Sequence, residues 1–371
     1  MPNLPNEPLY LQYLYLKAAR LGRPLNASFE LTARCNFNCR FCYIHREGTS
    51  AEAEKRRELS TGQWLDMFEE AAGMGVLLAL LTGGEPMIRD DFDELYTRLK
   101  RLGFSVYINT NGSLIGDEKL RLFRELPPTR INLSIYGASR ETYSRVNGNP
   151  DGFDLSREAA LRLKENGIQT ALSMSVGRYN VGDIPAVYDF ARDNSFNLAV
   201  ATYMYPGRED GHIDRLAPEE SAEAALLCSK CRYGDAWRPD ERSLSELRCP
   251  DETAVDDPAE GEGVRCRAGR SSFWITRDGV MTPCGMITSP RADAVKDGLE
   301  AAWEKIRLET DEIRTPVKCA SCRFKKVCSY CAASCFAETG RFDGVPGYLC
   351  ERTKKYVELM EKEKEEEKEK A

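Results

Sequence analysis

Three closely spaced cysteines near the beginning of the 371-residue chain, Cys35, Cys39 and Cys42, form a C-x3-C-x2-C pattern. Three thiolates on one loop can each bind one iron of a [4Fe–4S] cluster, whereas electron carriers use four cysteines to ligate every iron. The fourth iron is then free to bind a substrate, much as a catalytic zinc keeps an open position. A zinc site with a distant fourth ligand is the alternative, but zinc sites favour paired C-x2-C motifs. The spacing therefore favours a catalytic iron–sulfur site.

A second motif, Leu81-Thr-Gly-Gly-Glu-Pro86, follows the second predicted strand. Its two glycines can let the backbone approach a ligand closely. Polar residues also lie at or after the ends of the next two predicted strands, at Asn111, Ser134 and Arg145. The plainer interpretations of these three are, in that order, a turn residue, a polar strand residue and a surface charge. The motif and the strand-end residues together predict a ligand pocket beside the cysteines.

The cysteine triplet and the Gly-Gly-Glu-Pro turn resemble the signature of the radical S-adenosylmethionine (SAM) superfamily. The resemblance implies that the triplet holds a SAM-binding [4Fe–4S] cluster. The residues that it implies as SAM contacts are Phe41, Gly83, Gly84, Glu85, Pro86, Asn111, Ser134 and Arg145. Phe41 would pack near the adenine, the glycine turn would hold the methionyl amino group, and Ser134 would bond the ribose. Arg145 would bind the carboxylate, a task that suits a bidentate guanidinium.

Eight of the fourteen cysteines lie between residues 266 and 350. Their spacing resembles the SPASM extension of a subset of radical SAM enzymes, except that the usual pattern has seven. The resemblance implies an outer auxiliary [4Fe–4S] cluster on Cys319, Cys322, Cys328 and Cys350. It implies an inner one on Cys266, Cys284 and Cys331, whose fourth ligand is Cys335, Cys249 or an open iron, with Cys335 preferred. Zinc knuckles are the alternative for this region.

Two further kinds of metal-binding residue have no clear partner in these patterns. Cys228 and Cys231 form a C-x2-C pair that fits a redox pair, an additional metal site or two unligated thiols, and they are not assigned. The two histidines, His45 and His212, are too few to predict a histidine-based metal site. His45 could border the SAM pocket, although a surface position is the simpler interpretation.

From residue 26 to about residue 205, short β-branched runs alternate with amphipathic helical segments. The predicted strands are Ala27–Thr32, Leu77–Thr82, Ser105–Asn109, Ile131–Ile135, Thr170–Val176 and Leu198–Met204. The predicted helices are Gly62–Met74, Phe92–Leu102, Glu118–Leu126, Leu155–Glu165 and Ile184–Ser195. The alternation predicts a parallel sheet, either open and doubly wound or an incomplete barrel, with its ligand site at the carboxyl ends of the strands. The family resemblance implies an α/β fold with a partial (β/α)6 TIM-like barrel and a small cysteine-rich SPASM domain.

Composition and segment character predict the domain organisation and limit the partners. The predicted domains are an N-terminal extension (1–25), the barrel (26–215), a bridging segment (216–262), the SPASM domain (263–350) and a charged C-terminal helix or tail (351–371), expected to be solvated. The formal net charge is −7 without a Lys/Arg stripe, which argues against a nucleic-acid partner. The N-terminus lacks the pattern of a signal peptide, and no stretch is long and apolar enough to cross a bilayer, so we expect a cytoplasmic protein without a membrane partner. In that reducing compartment clustered cysteines bind metal more often than they form disulfides.

The resemblance also implies a reaction: SAM is cleaved to a 5′-deoxyadenosyl radical, which takes a hydrogen atom from the substrate. An external flavodoxin- or ferredoxin-type donor would supply the electron, and the cofactors would be SAM and three [4Fe–4S] clusters. SPASM-bearing relatives mostly oxidise ribosomally made peptides or proteins, so a thioether or carbon–carbon crosslink, or a related side-chain oxidation, is the favoured outcome. Tyr203 and Tyr205, at the predicted end of the last strand, are pocket candidates, and no catalytic acid or base is named.

Other functions remain open at this point. A sulfatase-maturating enzyme and a tetrapyrrole (haem-pathway) enzyme are the alternatives, and a non-catalytic iron–sulfur or zinc protein is a more distant one. The sulfatase-maturating branch is expected to carry Asp directly after the second auxiliary cysteine, where this chain has Gly285. Since the first strand begins near residue 26, no fused N-terminal peptide-recognition domain is expected. A bound leader peptide would then use the enzyme's own surface or a partner protein.

Overall fold

The computed structural model describes residues 8–44, 49–209, 211–237 and 261–370. His45 and Cys249, both considered above as candidates, lie outside these ranges.

Six parallel strands and the helices between them form the first half of the described structure. The strands are β1 (Asn26–Glu30), β2 (Leu78–Thr82), β3 (Ser105–Thr110), β4 (Arg130–Ser134), β5 (Thr170–Ser175) and β6 (Asn197–Ala201). Each pairs in parallel with its neighbour in sequence. A helix packs on the sheet between successive strands, which is the arrangement of a partial (β/α)6 barrel. The predicted fold class is confirmed.

The helices include all five of those predicted and several others. In chain order, the described helices are α1 (Leu9–Arg20), α2 (Ala51–Arg57), α3 (Thr61–Gly73), α4 (Phe92–Arg101), α5 (Asp117–Glu125), α6 (Arg140–Asn147), α7 (Gly152–Glu165), α8 (Ile184–Asp193), α9 (Pro218–Tyr233), α10 (Ala294–Asp297), α11 (Leu299–Asp311), α12 (Val317–Ala320), α13 (Ala332–Thr339) and α14 (Gly347–Lys370). Gly75, Gly103 and Gly167 follow α3, α4 and α7 with positive φ, as expected for left-handed caps. The short helices α2 and α6 escaped prediction because each spans only about two turns and shows little periodicity.

The cysteine-rich region continues the sheet of the barrel. Its strands are β7 (Ser272–Ile275), β8 (Val280–Thr282) and β9 (Ala292–Asp293). β7 pairs in parallel with β1, so the order among the described strands is β6-β5-β4-β3-β2-β1-β7-β8-β9. Cys266 precedes the β7–β8 hairpin and Cys284 follows it, so the hairpin brings two distant cysteines to one place.

The faces of the strands divide the barrel into an apolar layer and a polar concave surface. Phe29 of β1 packs against Trp64 and Phe68 of α3. Because successive side chains alternate between the faces, Glu30 and Ser134 lie on the opposite, concave face. The core between sheet and helices therefore holds the scaffold rigid, while the concave face can offer polar groups to a ligand.

The C-terminal helix differs from the expected solvated tail. α14 begins at Gly347 and buries Leu349, Tyr356 and Met360, the last two against α9. Before Met360 exposed residues such as Lys354 and Glu358 alternate with buried ones, whereas every residue from 361 to 367 is exposed or half-buried. Within the described ranges, no helix is both long and apolar enough to cross a membrane.

Candidate iron–sulfur and cofactor sites

The loop that carries Cys35, Cys39 and Cys42 leaves the carboxyl end of β1 and lies against the turn that follows β2. Gly84 N donates to Thr32 O at 2.8 Å, and Glu85 N donates to Arg34 O at 2.9 Å. A Cβ atom built on Gly83 would lie 2.3 Å from Thr32 O, and one on Gly84 2.3 Å from Arg34 O. The glycines are therefore required for the turn to approach the backbone of the cysteine loop, a reason additional to the ligand contact expected from the sequence.

Buried ion pairs fix the start of the same loop. The Arg34 guanidinium donates to the Glu58 carboxylate at 2.7 and 3.0 Å. Arg89, which is buried, donates to Glu58 at 3.3 Å and to Leu31 O at 3.1 Å. Sequence reasoning missed these residues, because charged residues beside turns have ordinary surface interpretations. Together they hold the cysteine loop to the elements on either side of α3.

Glu85 connects the Gly-Gly-Glu-Pro turn to the end of β3. Its fully buried carboxylate accepts hydrogen bonds from Asn111 N at 2.8 Å, from the Thr110 hydroxyl at 2.9 Å and from Met87 N at 3.2 Å. Burial raises its pKa to about 7, against the opposing effect of these donors. Asn111 in turn directs its side-chain amide at Cys35 Sγ, 3.7 Å away, and at Asn36 Oδ1, 2.9 Å away. The two predicted motifs therefore meet at the first cysteine.

The three thiols of the loop lie close enough together to interact electrostatically. Desolvation by the surrounding protein raises the pKa of Cys35 to about 12 and that of Cys39 well above its usual value. Cys35 nevertheless keeps an exposed surface, and Cys39 and Cys42 are half-buried. Thiolates held this close together need a positive charge beside them, which bound iron supplies. Among the described residues, no group of three or more His, Cys, Asp or Glu side chains is arranged around a single metal ion. A [4Fe–4S] cluster binds each cysteine through a different iron, so the donor set fits a cluster.

Aromatic side chains line the far side of the loop. Phe41 stacks on Tyr136 with ring centroids 6.4 Å apart, and it also lies against Gly177. Tyr136 follows β4 and Gly177 follows β5, so Phe41 lies against the carboxyl ends of these two strands. The Tyr136 hydroxyl is also a hydrogen-bond partner of Cys39. Tyr136 was not predicted, although an aromatic residue just after a strand on the ligand side is a usable signal.

Ser134 and Arg145 occupy different environments. Ser134 ends β4 on the concave face, opposite Ser173 of β5. The side chain of Arg145 is 61% exposed and pairs with Glu141 on the same helix. Its backbone carbonyl, by contrast, accepts a hydrogen bond from Arg40 of the cysteine loop at 2.8 Å. The SAM contacts expected of both side chains stay predictions.

The later cysteines fall into two groups. Electrostatic interactions connect the thiols of Cys319, Cys322, Cys328 and Cys350. A second set connects Cys284 to Cys266 and Cys331. These are the two groupings that the sequence pattern implied. Iron occupancy of either group stays a prediction.

Cys335, the preferred fourth ligand of the inner group, lies between the two groups. It is completely buried, and its thiol interacts with Cys319 first and with Cys331 second. It also packs in one apolar cluster with Cys319 and Cys328 of the outer group. This position does not favour Cys335 as an inner ligand, and with Cys249 outside the described residues the fourth inner ligand stays open.

Two tyrosines connect the end of β6 to the cysteine-rich region. Because β6 ends at Ala201, three residues earlier than predicted, Tyr203 and Tyr205 lie in the loop that follows it. The Tyr205 hydroxyl lies 3.5 Å from Cys331 Sγ. Tyr203 donates to Glu338 Oε1 at 2.6 Å. Burial raises the pKa of both phenols above the usual value.

Arg208 forms a second connection, which sequence reasoning missed. Its guanidinium donates to both carboxylate oxygens of the completely buried Glu30, at 2.7 and 2.8 Å, and to Gly285 O at 3.3 Å. Its backbone N–H donates to Tyr43 O at 2.9 Å. Tyr43 follows Cys42 and Gly285 follows Cys284, so one residue touches both cysteine regions. The sequence does contain one signal for this pair: Glu30 is a charged residue at the end of a buried strand, and a buried charge needs a partner.

Cys228 and Cys231 lie on α9, half-buried beside the barrel core, and Tyr188 of α8 is a neighbour. Burial raises the pKa of Cys228 to about 12. Their strongest electrostatic interactions include no cysteine of the two C-terminal groups. His212 accepts a hydrogen bond from Gly207 N through its backbone carbonyl. None of these observations assigns the pair or the histidine a role.

Comparison with known proteins agrees with this geometry. Residues 29–191 match the model of the radical SAM superfamily. The AdoMet-dependent heme synthase of Methanosarcina barkeri (strain Fusaro / DSM 804) is 23% identical over 337 residues, which cover 87% of this chain and 95% of that protein. The PqqA peptide cyclase of Rhizobium meliloti (strain 1021) is 30% identical over 316 residues, 83% of this chain and 82% of that protein.

A solved structure shares the fold over nearly the whole length. Streptococcus suis SuiB bound to precursor peptide SuiA superposes with a TM-score of 0.67 at 18% identity, over 94% of this chain and 82% of that one. The cysteine loop, the glycine turn docked on it and the full-length similarity lead to one conclusion. The chain belongs to the radical SAM superfamily of enzymes.

Proposed function

We propose that this enzyme cleaves SAM at a [4Fe–4S] cluster held by Cys35, Cys39 and Cys42 and uses the resulting radical to oxidise a ribosomally made peptide or protein. The cluster, once reduced by a flavodoxin- or ferredoxin-type donor, supplies the electron for cleavage. The product would be a thioether or carbon–carbon crosslink, or a related side-chain oxidation. A cytoplasmic location stays a prediction.

The protein's own residues would position SAM and exclude water. The turn of Gly83, Gly84, Glu85 and Pro86 would present backbone groups to the methionyl amino group. Arg145 would bind the carboxylate, and Asn111 and Ser134 would contact the rest of SAM. Phe41 and Tyr136 form an apolar wall suited to the adenine. Holding the reactive carbon against one substrate C–H bond is the contribution that a rigid barrel end can make.

One observation carries the proposal: the inner cysteine group lies at the same end of the barrel as the cysteine loop. Tyr205 reaches Cys331 from the end of β6, and Arg208 contacts both Tyr43 O and Gly285 O. Removal of a hydrogen atom leaves a substrate radical, and oxidation requires one more electron to depart. Auxiliary clusters on the two C-terminal cysteine groups would accept that electron. An electron acceptor at this position fits an oxidation of the substrate better than a reaction in which 5′-deoxyadenosine returns the hydrogen atom to the substrate radical.

Peptide modification is supported by the similarity to the PqqA peptide cyclase, which is the stronger of the two sequence similarities by identity. The heme synthase similarity favours a second candidate, oxidation of a tetrapyrrole, because it extends over almost the whole of that protein. Tetrapyrroles carry several carboxylates, which need cationic partners. Two arginines at this end, Arg208 and Arg215, are already paired with Glu30 and Glu338. Arg40 of the cysteine loop lies over the Tyr179 ring. The peptide is preferred because of the higher identity to the cyclase, and the porphyrin stays the second candidate.

The test uses the full chain, reconstituted anaerobically with iron and sulfide, with SAM and dithionite. We expect 5′-deoxyadenosine, detected by mass spectrometry, and its loss when Cys35, Cys39 and Cys42 are all replaced by serine. Short peptides encoded beside the gene, a cysteine- or serine-containing sulfatase peptide and iron coproporphyrin then serve as substrates. A product peptide that is lighter than its substrate by two hydrogen atoms, with no other atoms lost, supports crosslinking. Conversion of the porphyrin alone would overturn the peptide proposal in favour of the second candidate.

A further inference from the structure

Two tyrosines that follow β6, Tyr203 and Tyr205, share one environment but direct their hydroxyls at different partners. Their rings pack edge to face, with centroids 4.8 Å apart. The Tyr203 hydroxyl donates to Glu338, 2.6 Å away. The Tyr205 hydroxyl lies 3.5 Å from Cys331 Sγ, within the range of hydrogen bonds to sulfur. The pair therefore offers a comparison in which only one hydroxyl is directed at a cysteine sulfur.

The direction of the Tyr205 contact follows from the chemistry of a bound cysteine. A cysteine that ligates iron has lost its proton, so its sulfur can only accept a hydrogen bond. The phenol must then be the donor. Further hydrogen bonds of Cys331 involve its backbone: Ser334 Oγ accepts from Cys331 N and donates to Cys331 O, each at 2.9 Å. Tyr205 is thus a side-chain donor aimed at the sulfur itself.

A hydrogen bond to a cluster sulfur stabilises the more negative, reduced state more than the oxidised state, and it is one of the factors that set cluster potentials. We infer that the Tyr205 hydroxyl donates to the Cys331 sulfur and raises the reduction potential of the inner auxiliary cluster. The inference rests on the proposed function, because it requires Cys331 to bind iron. Tyr205 acts through Cys331 and is a positioning residue. A raised potential makes this cluster the better acceptor for the electron that the substrate radical gives up.

Tyr203 does not share this role, because its hydroxyl is used elsewhere. The two terminal guanidinium nitrogens of Arg215 donate to the Glu338 carboxylate, at 2.5 and 3.0 Å. The Arg215 guanidinium also stacks over the Tyr348 ring. The Tyr203 hydroxyl therefore completes an ion-pair network. Its removal should disturb that network and leave the sulfur contact of Tyr205 in place.

The experiment compares Tyr205→Phe with the matched control Tyr203→Phe in the reconstituted full chain. Potentiometric titration with dithionite, followed by electron paramagnetic resonance, measures each one-electron couple. The SAM-binding cluster is identified by its spectral change when SAM is added. For Tyr205→Phe we expect one auxiliary couple to show about a tenfold lower reduced-to-oxidised ratio at a fixed potential, a shift of about 59 mV to lower values. The control should keep the wild-type potential.

A second measurement detects the donated proton directly, first in the wild-type protein. Electron–nuclear double resonance of the reduced wild-type protein in deuterated buffer should detect an exchangeable deuteron coupled to an auxiliary cluster. It should persist in Tyr203→Phe and vanish in Tyr205→Phe. Equal potentials and equal deuteron couplings in both variants, with auxiliary iron at wild-type content, would overturn this inference and leave the proposed function intact. No auxiliary iron in any variant would overturn both the proposed clusters and the inference.

Discussion

The barrel and the cysteine-rich region hold their cysteines by different means. In the barrel, one large apolar core that includes Trp64 and Phe68 lies behind the cysteine loop, and the loop is bonded to neighbouring strands. In the cysteine-rich region β7, β8 and α11 pack into that same large core, whereas the segments around α12 and α13 lie in small apolar clusters. Cys319 and Cys335 are themselves members of one of these small clusters. A large core can position a metal loop without the metal, whereas a small cluster built from ligands depends on it. The comparison predicts that iron binding and folding are separable in the barrel and coupled around α12 and α13.

Removal of the outer-group ligands should have the largest effect. In Cys319→Ser/Cys322→Ser, we expect the segments around α12 and α13 to lose protection from hydrogen exchange, because metal binding there supplies folding free energy. The barrel strands should keep their protection. Mass spectrometry of exchanged peptides measures both.

The control for this experiment is Cys228→Ser/Cys231→Ser, in which two thiols outside both groups are replaced. It should leave the exchange pattern of α12 and α13 unchanged. If the outer-group variant kept full protection in those helices, the contrast between the two regions would be lost.

Loss of the Arg208 guanidinium tests the connection between the regions. In Arg208→Ala, the completely buried Glu30 keeps its hydrogen bonds from Arg277 and Trp274. Breaking a buried ion pair by removing one partner costs about 3–5 kcal/mol. Because Glu30 still has two donors, we expect the loss of unfolding free energy to lie near the lower end of that range. Urea unfolding of the reconstituted protein measures it.

The matched control is Arg341→Ala, which removes an exposed pair with Asp343 in the cysteine-rich region. It should not change the midpoint measurably, since exposed ion pairs contribute little. Equal effects of the two variants would show that the Arg208–Glu30 pair is not a structural connection.

Gly83→Ala tests how the barrel positions the cysteine loop. The added Cβ would lie 2.3 Å from Thr32 O, at a φ of +150°, so the turn or the loop must move. We expect a loss of roughly 1–3 kcal/mol in unfolding free energy. Displacing the loop by about 1 Å would lower SAM cleavage roughly 100-fold. Gly62→Ala in α3, where nothing lies within 4 Å of the new Cβ, should keep both properties. Normal cleavage by Gly83→Ala would contradict the docking of the turn on the loop.

The smallest expected effect is a pH dependence from Glu85. Burial raises its pKa to about 7 from 4.5, so between these values the folded protein binds more protons than the unfolded chain. Stability should therefore fall as pH rises from 4.5 to 7 and level off above 7. Hydrogen exchange in β2 and β3 measures this, and Glu85→Gln should flatten the slope. The same slope in both proteins would exclude Glu85 as its source.

The sequence by itself determined the features that depend on local spacing. The triplet Cys35, Cys39 and Cys42 and the glycine turn were predicted because a metal loop and a tight turn are each short and contiguous. The six strands were predicted within a few residues, since burial imposes a periodicity that a single segment displays. The two groups of C-terminal cysteines were implied by the resemblance of their spacing to the SPASM extension.

Only the tertiary structure decided which distant residues meet. Arg208 and Glu30, Tyr205 and Cys331, and Tyr136 and Cys39 are each far apart in the chain. Arg208 and Glu30, and Tyr136 and Cys39, meet because parallel strands place their carboxyl ends at one edge. Tyr205 and Cys331 meet because the cysteine-rich region packs on that edge. Cys335 lies on α13, between Cys331 of the inner group and Cys319 of the outer group. The spacing of Cys335 from Cys331 in the sequence does not reveal this position. A contact between two distant segments depends on how the whole chain folds, and it produces no periodic pattern in either segment. For that reason the first cysteine site could be predicted from its residues, and its connection to the auxiliary cysteines could not.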